Sequence, residues 1–114
     1  MKVSVREKDN ARIVDVAGSV DLKTAPQLRQ LLFEALKKAP RVALNLSEIS
    51  GIDSSGIAVL LEALRESQRL NGQFLLFGMN PAVQDVFGIT HVARVFHVSD
   101  SEEHALGAAK SASS

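Results

Sequence analysis

Residues 45–56 read Asn45-Leu46-Ser47-Glu48-Ile49-Ser50-Gly51-Ile52-Asp53-Ser54-Ser55-Gly56, and they predict the end of a strand, a tight connection and the start of a helix. Before the connection, residues 41–46 alternate apolar and polar side chains as a half-buried strand does. After it, apolar residues recur at helical spacing, at Ile57, Leu60, Leu61 and Leu64. Asp53 and Ser54 therefore stand where a helix begins, and either side chain can cap the unpaired amides of its first turn.

Two hydroxyl groups, those of Ser54 and Ser55, lie at this predicted helix start. The amides of a first turn and the helix dipole favour negative charge, so a phosphate fits there without unfolding the helix. A hydroxyl that can be modified is one interpretation of this stretch, and a plain helix cap is the other. The chemistry of the residues does not separate Ser54 from Ser55. Gly56 either lets the helix pack tightly on the sheet or lets a partner approach closely.

The composition predicts one domain without a strong charge preference. The chain has 114 residues, 46% of them hydrophobic, with 13 basic and 13 acidic side chains and no cysteine. A net charge of zero provides no general attraction to nucleic acid or to an acidic bilayer, and the absence of cysteine excludes disulfides and thiolate metal sites. With no apolar leader and no stretch of membrane-spanning length, we expect a cytoplasmic protein that does not insert into a membrane. The oligomeric state is left open.

Alternating sequence patterns predict an opening hairpin followed by helices and strands in turn. Residues 3–6 and 11–17 alternate around a turn at Asp9-Asn10, and Gly18 is expected to end the second strand. A helix capped by Thr24 follows, then the strand at 41–46, the helix from Asp53 and a strand at 73–77. The last part predicts a short helix over residues 82–87, a strand containing residues 96 and 98, and a helix opened by residues 99–102.

This order of elements predicts an α/β fold with a mixed, largely parallel sheet and about four helices. A strand covered on both faces is continuously apolar, whereas residues 41–46 alternate. We therefore expect the helices to lie mainly on one face of the sheet, and the other face to be thinly covered or exposed to solvent. The final residues, 111–114, bury little and are expected to be frayed.

The sequence offers no convincing catalytic or metal-binding motif. The three histidines, His91, His97 and His104, are too scattered to suggest a ligand set, and no glycine-rich segment matches a nucleotide-binding loop. The segment from Gly51 to Gly56 approaches the nucleophile elbow of hydrolases, but its spacing differs by one residue. We expect a protein that is not an enzyme and that uses no cofactor and no metal.

Four segments together resemble the bacterial anti-sigma factor antagonists, which are single STAS domains. They are Gly18-Ser19-Val20-Asp21-Leu22-Lys23-Thr24-Ala25, Val42-Ala43-Leu44-Asn45-Leu46, Ile52-Asp53-Ser54-Ser55-Gly56-Ile57 and Gly78-Met79-Asn80-Pro81-Ala82-Val83. The resemblance covers nearly the whole chain and implies a single STAS domain over residues 1–110. The combination of segments is specific, while the Asp-Ser-Ser-Gly core alone is less so.

The resemblance implies a function and a set of site residues. In that family an anti-sigma factor serine kinase phosphorylates the first serine after the aspartate, which corresponds to Ser54 here. The unphosphorylated antagonist binds the kinase and releases a sigma factor, and a PP2C-type phosphatase restores the antagonist. By the same matching, Asp21, Asp53, Ser54, Ser55 and Gly56 form the surface that binds the partner. For Asp21 a local turn is the simpler interpretation.

A second hypothesis assigns the chain to transport. In that case it is a STAS subunit docked on a membrane transporter, such as a lipid-transport ABC system, and the same helix start contacts an ATPase. Both hypotheses require binding to another protein rather than catalysis.

Overall fold

The computed structural model describes residues 1–90 and 92–113, which form five strands, four α-helices and one short 3₁₀ helix. The strands are β1 Lys2–Lys8, β2 Ala11–Val20, β3 Arg41–Ile52, β4 Gln73–Phe77 and β5 His97–Ser99. The α-helices are α1 Ala25–Lys38, α2 Ser54–Arg69, α3 Pro81–Thr90 and α4 Glu102–Ser113, and the 3₁₀ helix is Val92–Val95.

The five strands form one mixed sheet in the order β1-β2-β3-β4-β5. The first pair is the predicted antiparallel hairpin, and each later pair is parallel. A helix connects each pair of parallel neighbours, as parallel pairing requires. The predicted α/β class and the largely parallel sheet are therefore confirmed. Because β2, β3 and β4 are parallel, their carboxyl ends lie at the same edge of the sheet.

Strands β2 and β3 are longer than the sequence patterns predict. Gly18 does not end β2, which continues to Val20, and β3 continues six residues beyond Leu46. The pairing register shifts twice in this region, and each shift places one extra residue in β3. The buried side chains of β3 are then spaced by three, at Leu46, Ile49 and Ile52. The alternation of side chains along β3 ends at Leu46, because the β-bulges beyond it break the period of two.

Three helices cover one face of the sheet, and one helix covers the other. The main core contains buried side chains of α1, α2 and α3 against residues such as Val14, Leu44 and Leu76. On the opposite face a smaller cluster places Ala105 and Leu106 of α4 on the sheet; its other members are Ala11, Ile13, Ala43, Leu75 and Phe77. This arrangement confirms that the helices lie mainly on one face.

A polar network connects the first turn of α4 to the sheet. The guanidinium of Arg6 donates to Asp15 at 2.6 and 2.9 Å and to Glu102 at 2.7 Å, and the Asn45 amide donates to Asp15 at 2.9 Å. The hydrogen bond from Arg6 lowers the pKa of Asp15. Within the predicted opening segment 99–102, Ser101 caps α4 by accepting from the backbone N–H of His104. The network fixes α4 across three strands.

The carboxyl end of β3 is held by one amide side chain, that of Asn80. Its Nδ2 donates to the carbonyl oxygen of Ile49 at 2.5 Å and approaches those of Leu46 and Ser47 at 3.3 Å. Its Oδ1 accepts from the N–H of Val83 at 3.0 Å and so caps α3. Asn80 therefore joins the bulged part of β3 to the start of a helix. This helix continues to Thr90, beyond the range 82–87 that the sequence predicts.

Two further expectations concern membranes and the carboxyl terminus. Within the described residues, the structure has no helix that is both long and apolar enough to cross a bilayer. Helix α4 includes residues 111–113, part of the segment expected to be frayed, and Ser114 lies outside the described residues, as does His91. Fraying of residues 111–114 stays a prediction.

We predict that Asn80→Asp lowers the free energy of unfolding by about 1–3 kcal/mol. Aspartate caps a helix as well as asparagine does, so the bond to Val83 can persist. The substitution instead replaces the N–H donor with an oxygen that faces backbone carbonyls. Urea denaturation measures the difference. The matched control is Asn10→Asp in the exposed hairpin turn, where we expect a change within about 0.5 kcal/mol; equal losses in the two variants would contradict the role of Asn80.

Candidate functional site

The candidate site lies where β2 and β3 end side by side. Val20 pairs with Ile52 in parallel register, and the N–H of Asp53 donates to the carbonyl oxygen of Val20 at 3.2 Å. Asp21 and Asp53 directly follow the paired residues, so both stand at the carboxyl edge of the sheet. Ligand and partner sites of parallel sheets commonly occupy this edge. The parallel pairing thus brings together residues that are 32 positions apart in sequence.

Asp53, one of the two caps that the sequence allows, is the N-cap of α2. Its Oδ1 accepts hydrogen bonds from the backbone N–H of Ser55 at 2.9 Å and of Gly56 at 3.1 Å, and from the hydroxyl of Ser55. The pKa of Asp53 lies below its ordinary value, first because of the Ser55 hydroxyl and then because of backbone donors, which include Leu22. The carboxylate is therefore charged and held in place, and it satisfies two amides that the helix leaves unpaired.

The two serines differ in their surroundings. The hydroxyl of Ser55 is partly buried and donates to Asp53, so it is already engaged. Ser54 is exposed, is the first residue of α2, and has no side-chain hydrogen-bond partner among the residues that the structure describes. Residue chemistry alone leaves Ser54 and Ser55 equivalent, whereas the fold makes Ser54 the accessible hydroxyl.

Gly56 is a buried residue of the first turn of α2. A Cβ at this position would lie 2.6 Å from Cγ1 of Ile52 and 2.9 Å from Cγ1 of Val20. Both neighbours are β-branched side chains with little freedom to move. The packing interpretation of Gly56 therefore has a structural basis, and a direct contact of Gly56 with a partner stays a prediction.

Asp21 organises the loop between β2 and α1. Its Oδ1 accepts from the N–H of Lys23 at 2.9 Å and of Thr24 at 3.2 Å, which is the local turn considered above. The prediction that the Thr24 side chain caps α1 is wrong, since it makes no capping hydrogen bond to the helix. Its hydroxyl instead donates to the carbonyl oxygen of Ser19 and accepts from the N–H of Asp21. The loop is closed on itself, and Asp21 stands at the same edge as Asp53.

Leu22 is a residue of this site that the sequence patterns do not identify. Its side chain is 77% exposed, although it is large and apolar. A single large apolar residue between the polar loop residues Asp21 and Lys23 is the signal that the sequence contained. Within the described part of the chain, no group of three or more His, Cys, Asp or Glu side chains is arranged to hold a metal ion.

Comparison with known proteins gives consistent matches over almost the full length. The family model of the STAS domain matches residues 2–105 of this chain. The Bordetella bronchiseptica protein BtrV, assigned as an anti-sigma factor antagonist, is 31% identical over 113 residues, which span 98% of this chain and 97% of that protein.

Solved structures also match. An anti-sigma factor antagonist from Mycobacterium paratuberculosis has a TM-score of 0.86 at 24% identity, over 96% of this chain and 93% of that one. The anti-sigma factor antagonist SpoIIAA has a TM-score of 0.79 in its unphosphorylated form, at 20% identity and over 96% and 97% of the two chains. The phosphorylated form of the Bacillus protein has a TM-score of 0.70, at 20% identity and over 93% and 97%. At these identities the structures bear on the fold alone.

We predict that Gly56→Ala destabilises the fold by about 1–3 kcal/mol, because the added methyl group overlaps Ile52 and Val20. The better helix propensity of alanine, worth up to about 1 kcal/mol, offsets only part of this loss. Thermal and urea unfolding measure the effect. Gly88→Ala is the matched control, since a Cβ at this exposed glycine of α3 meets nothing within 4 Å. Its stability should be unchanged or higher, and a similar loss in both variants would argue against the close packing of Gly56.

We predict that protonation of Asp53 weakens the start of α2 at acid pH. Because the pKa of Asp53 is lowered in the folded chain, the ionised cap stabilises the fold above the unfolded pKa, and this stabilisation is lost as the pH falls through the folded pKa. The amide NMR signals of Ser55 and Gly56 should therefore titrate with a midpoint below the ordinary aspartate value. In Asp53→Asn this titration should disappear while the helix remains capped. A midpoint above the ordinary value would contradict the bonding described.

Proposed function

This chain belongs to the STAS domain family, and we propose that it is an anti-sigma factor antagonist whose binding is switched off by phosphorylation of Ser54. The unphosphorylated chain binds an anti-sigma factor serine kinase and so releases a sigma factor. The observation that carries the proposal is the contrast between the exposed, unbonded hydroxyl of Ser54 and the engaged hydroxyl of Ser55. The relatives named as anti-sigma factor antagonists support it, as does the existence of a phosphorylated form of SpoIIAA.

The proposed modification is a phosphoryl transfer to the Oγ of Ser54. The kinase binds ATP as the phosphoryl donor. The γ-phosphorus of ATP forms a bond to Oγ of Ser54 while its bond to the oxygen of the leaving ADP breaks. The proton of the hydroxyl passes to the kinase. A PP2C-type phosphatase then hydrolyses the phosphoserine and returns the hydroxyl. This chain supplies only the acceptor hydroxyl, so the proposal assigns it no catalysis, no cofactor and no metal. The proposal also places its action in the cytoplasm.

The fold tolerates the added charge. Phosphate brings roughly −1.5 to −2 charges next to the carboxylate of Asp53, and the amino end of α2 offsets part of the repulsion. Ser54 is exposed, so the phosphate stays hydrated in the free protein. The scaffold beneath it depends on bonds that Ser54 does not make, such as those from Ser55 and Gly56 to Asp53.

The charge acts on binding instead. A partner surface that fits a neutral hydroxyl must remove water from the phosphate without providing a cation, and this desolvation opposes association. A loss of roughly 2.7 kcal/mol is enough to weaken binding about a hundredfold, and burial of an unpaired phosphate is sufficient to cause it. Asp21, Asp53 and Ser55 lie around the same edge and complete the proposed contact surface, with Gly56 packed below them.

We predict that incubation with ATP and the anti-sigma factor kinase adds a single phosphate, located on Ser54 by mass spectrometry. Ser54→Ala should abolish the incorporation, and Ser55→Ala, the matched control, should retain it. Ser54→Asp should weaken kinase binding about a hundredfold while it changes the free energy of unfolding by less than about 0.5 kcal/mol. Phosphate found on Ser55, or a large loss of stability in Ser54→Asp, would defeat the proposal.

The kinase is identified by purification of the tagged chain from its source cells, followed by mass spectrometry. Recovery of a histidine-kinase-like ATPase that phosphorylates Ser54 supports the proposal. Recovery of a permease with its transport ATPase, and no phosphorylation, would instead assign the chain to a membrane transporter. The genes next to that for this chain make the same distinction, since one outcome predicts a sigma factor there and the other a permease.

A further inference from the structure

We propose that Leu22 is the apolar anchor of the partner-binding surface, and that it inserts into an apolar pocket of the anti-sigma factor whose rim is positively charged. This inference rests on the proposed function and adds a residue and a partner chemistry to it. Six large apolar side chains of the described residues are markedly exposed, and Leu22 and Ile89 are the most exposed of them, at 77% and 79%. Of these two, Leu22 belongs to the loop at the edge where Ser54 lies.

The position of Leu22 is imposed by its loop. On one side Asp21 accepts from the amides of Lys23 and Thr24, and the hydroxyl of Thr24 donates to Ser19, so the turn that contains Leu22 is closed. On the other side Val20, two residues before Leu22, pairs with Ile52, and its carbonyl oxygen accepts from the N–H of Asp53 at 3.2 Å. The loop that contains Leu22 is thus attached through the main chain of Val20 to the cap of α2, while the side chain of Leu22 extends into water. An anchor held in this way loses little conformational entropy when a partner buries it.

The surroundings of Leu22 define the kind of pocket that fits it. Residues 21–24 and 53–56 contain two carboxylates, of Asp21 and Asp53, and one ammonium, of Lys23, so the unmodified surface carries one net negative charge. An exposed leucine with acidic neighbours is complementary to an apolar pocket with a cationic rim. Apolar anchors in central pockets supply most of the affinity at protein interfaces, and charged neighbours mainly affect the association rate.

This arrangement also connects the anchor to the switch. Leu22 and Ser54 each follow the paired residues Val20 and Ile52 by two positions, so both lie at the same end of the same two strands. A partner seated on Leu22 therefore covers the start of α2. A phosphate on Ser54 would then lie in the part of the interface from which the bound partner excludes water.

The test uses the kinase that phosphorylates Ser54, because its identity as the partner is then independent of Leu22. We expect Leu22→Ala to weaken its binding to the unmodified chain roughly tenfold or more, chiefly through faster dissociation, as calorimetry and surface plasmon resonance measure. Ile89→Ala removes an equally exposed side chain from another part of the surface and should leave the affinity unchanged. The loss in Leu22→Ala should be the same at low and high salt, whereas that in Asp21→Asn should shrink as salt rises.

The outcomes separate this inference from the function on which it rests. If Leu22→Ala binds as tightly as the unaltered chain while Ser54→Asp does not, the anchor is disproved and the proposed function stands. If Ser54→Asp also binds normally, the proposed function itself fails. Equal losses in Leu22→Ala and Ile89→Ala would likewise overturn the anchor. Circular dichroism of each variant verifies that it is folded, and Leu22→Met, which keeps an apolar side chain of similar size, should restore most of the affinity.

Discussion

The close approach of the first turn of α2 to the ends of β2 and β3 is the constraint on which the site depends. It requires a residue without a side chain at Gly56, where a Cβ would collide with Ile52 and Val20. It also allows the N–H of Asp53 to bond to Val20 and leaves the Asp53 carboxylate free to cap the helix. With these contacts in place, Ser54 is directed to solvent, and the loop containing Asp21 and Leu22 lies against the same helix start. A single packing contact in the interior thus determines which side chains the surface presents.

This arrangement separates the part of the molecule that is stable from the part that is proposed to change. The main core lies between the sheet and α1, α2 and α3, and the network around Arg6 and Asp15 fixes α4 on the opposite face. Ser54 contributes to neither. A charge added at an exposed first-turn residue changes the hydration and field of the surface while the packing beneath it is unaffected. The cost of such a charge therefore appears in the free energy of binding, because a second protein must remove water from the phosphate.

The sequence alone predicts the class of fold, the opening hairpin, the strand at 73–77, the start of α2 at Asp53 and the placement of the helices mainly on one face of the sheet. These features follow from local periodicity, from turn residues and from capping chemistry. The extensions of β2 to Val20 and of β3 to Ile52 are not predictable in this way, since they depend on bulges that arise only when the two strands pair. The hydrogen bonds that join Asn80 to β3 and the exposure of Leu22 also depend on tertiary structure. The candidate site residues could be named from the resemblance, but the hydrogen bonds and the exposure of each required the geometry.

The distinction between Ser54 and Ser55 illustrates how one carboxylate can serve structure and selectivity together. Phosphorylation of Ser55 would break its hydrogen bond to Asp53 and place a dianion against the carboxylate that formerly accepted that bond. Successive residues of an α-helix are separated by about 100° around its axis, so Ser54 points away from this contact. Its hydroxyl has no bond to lose within the described structure, and a phosphate on it can remain in water. The cap that orders the helix therefore also disfavours the nearer of two chemically identical acceptors, and on the proposed function this is the reason that a kinase meets a single reactive hydroxyl.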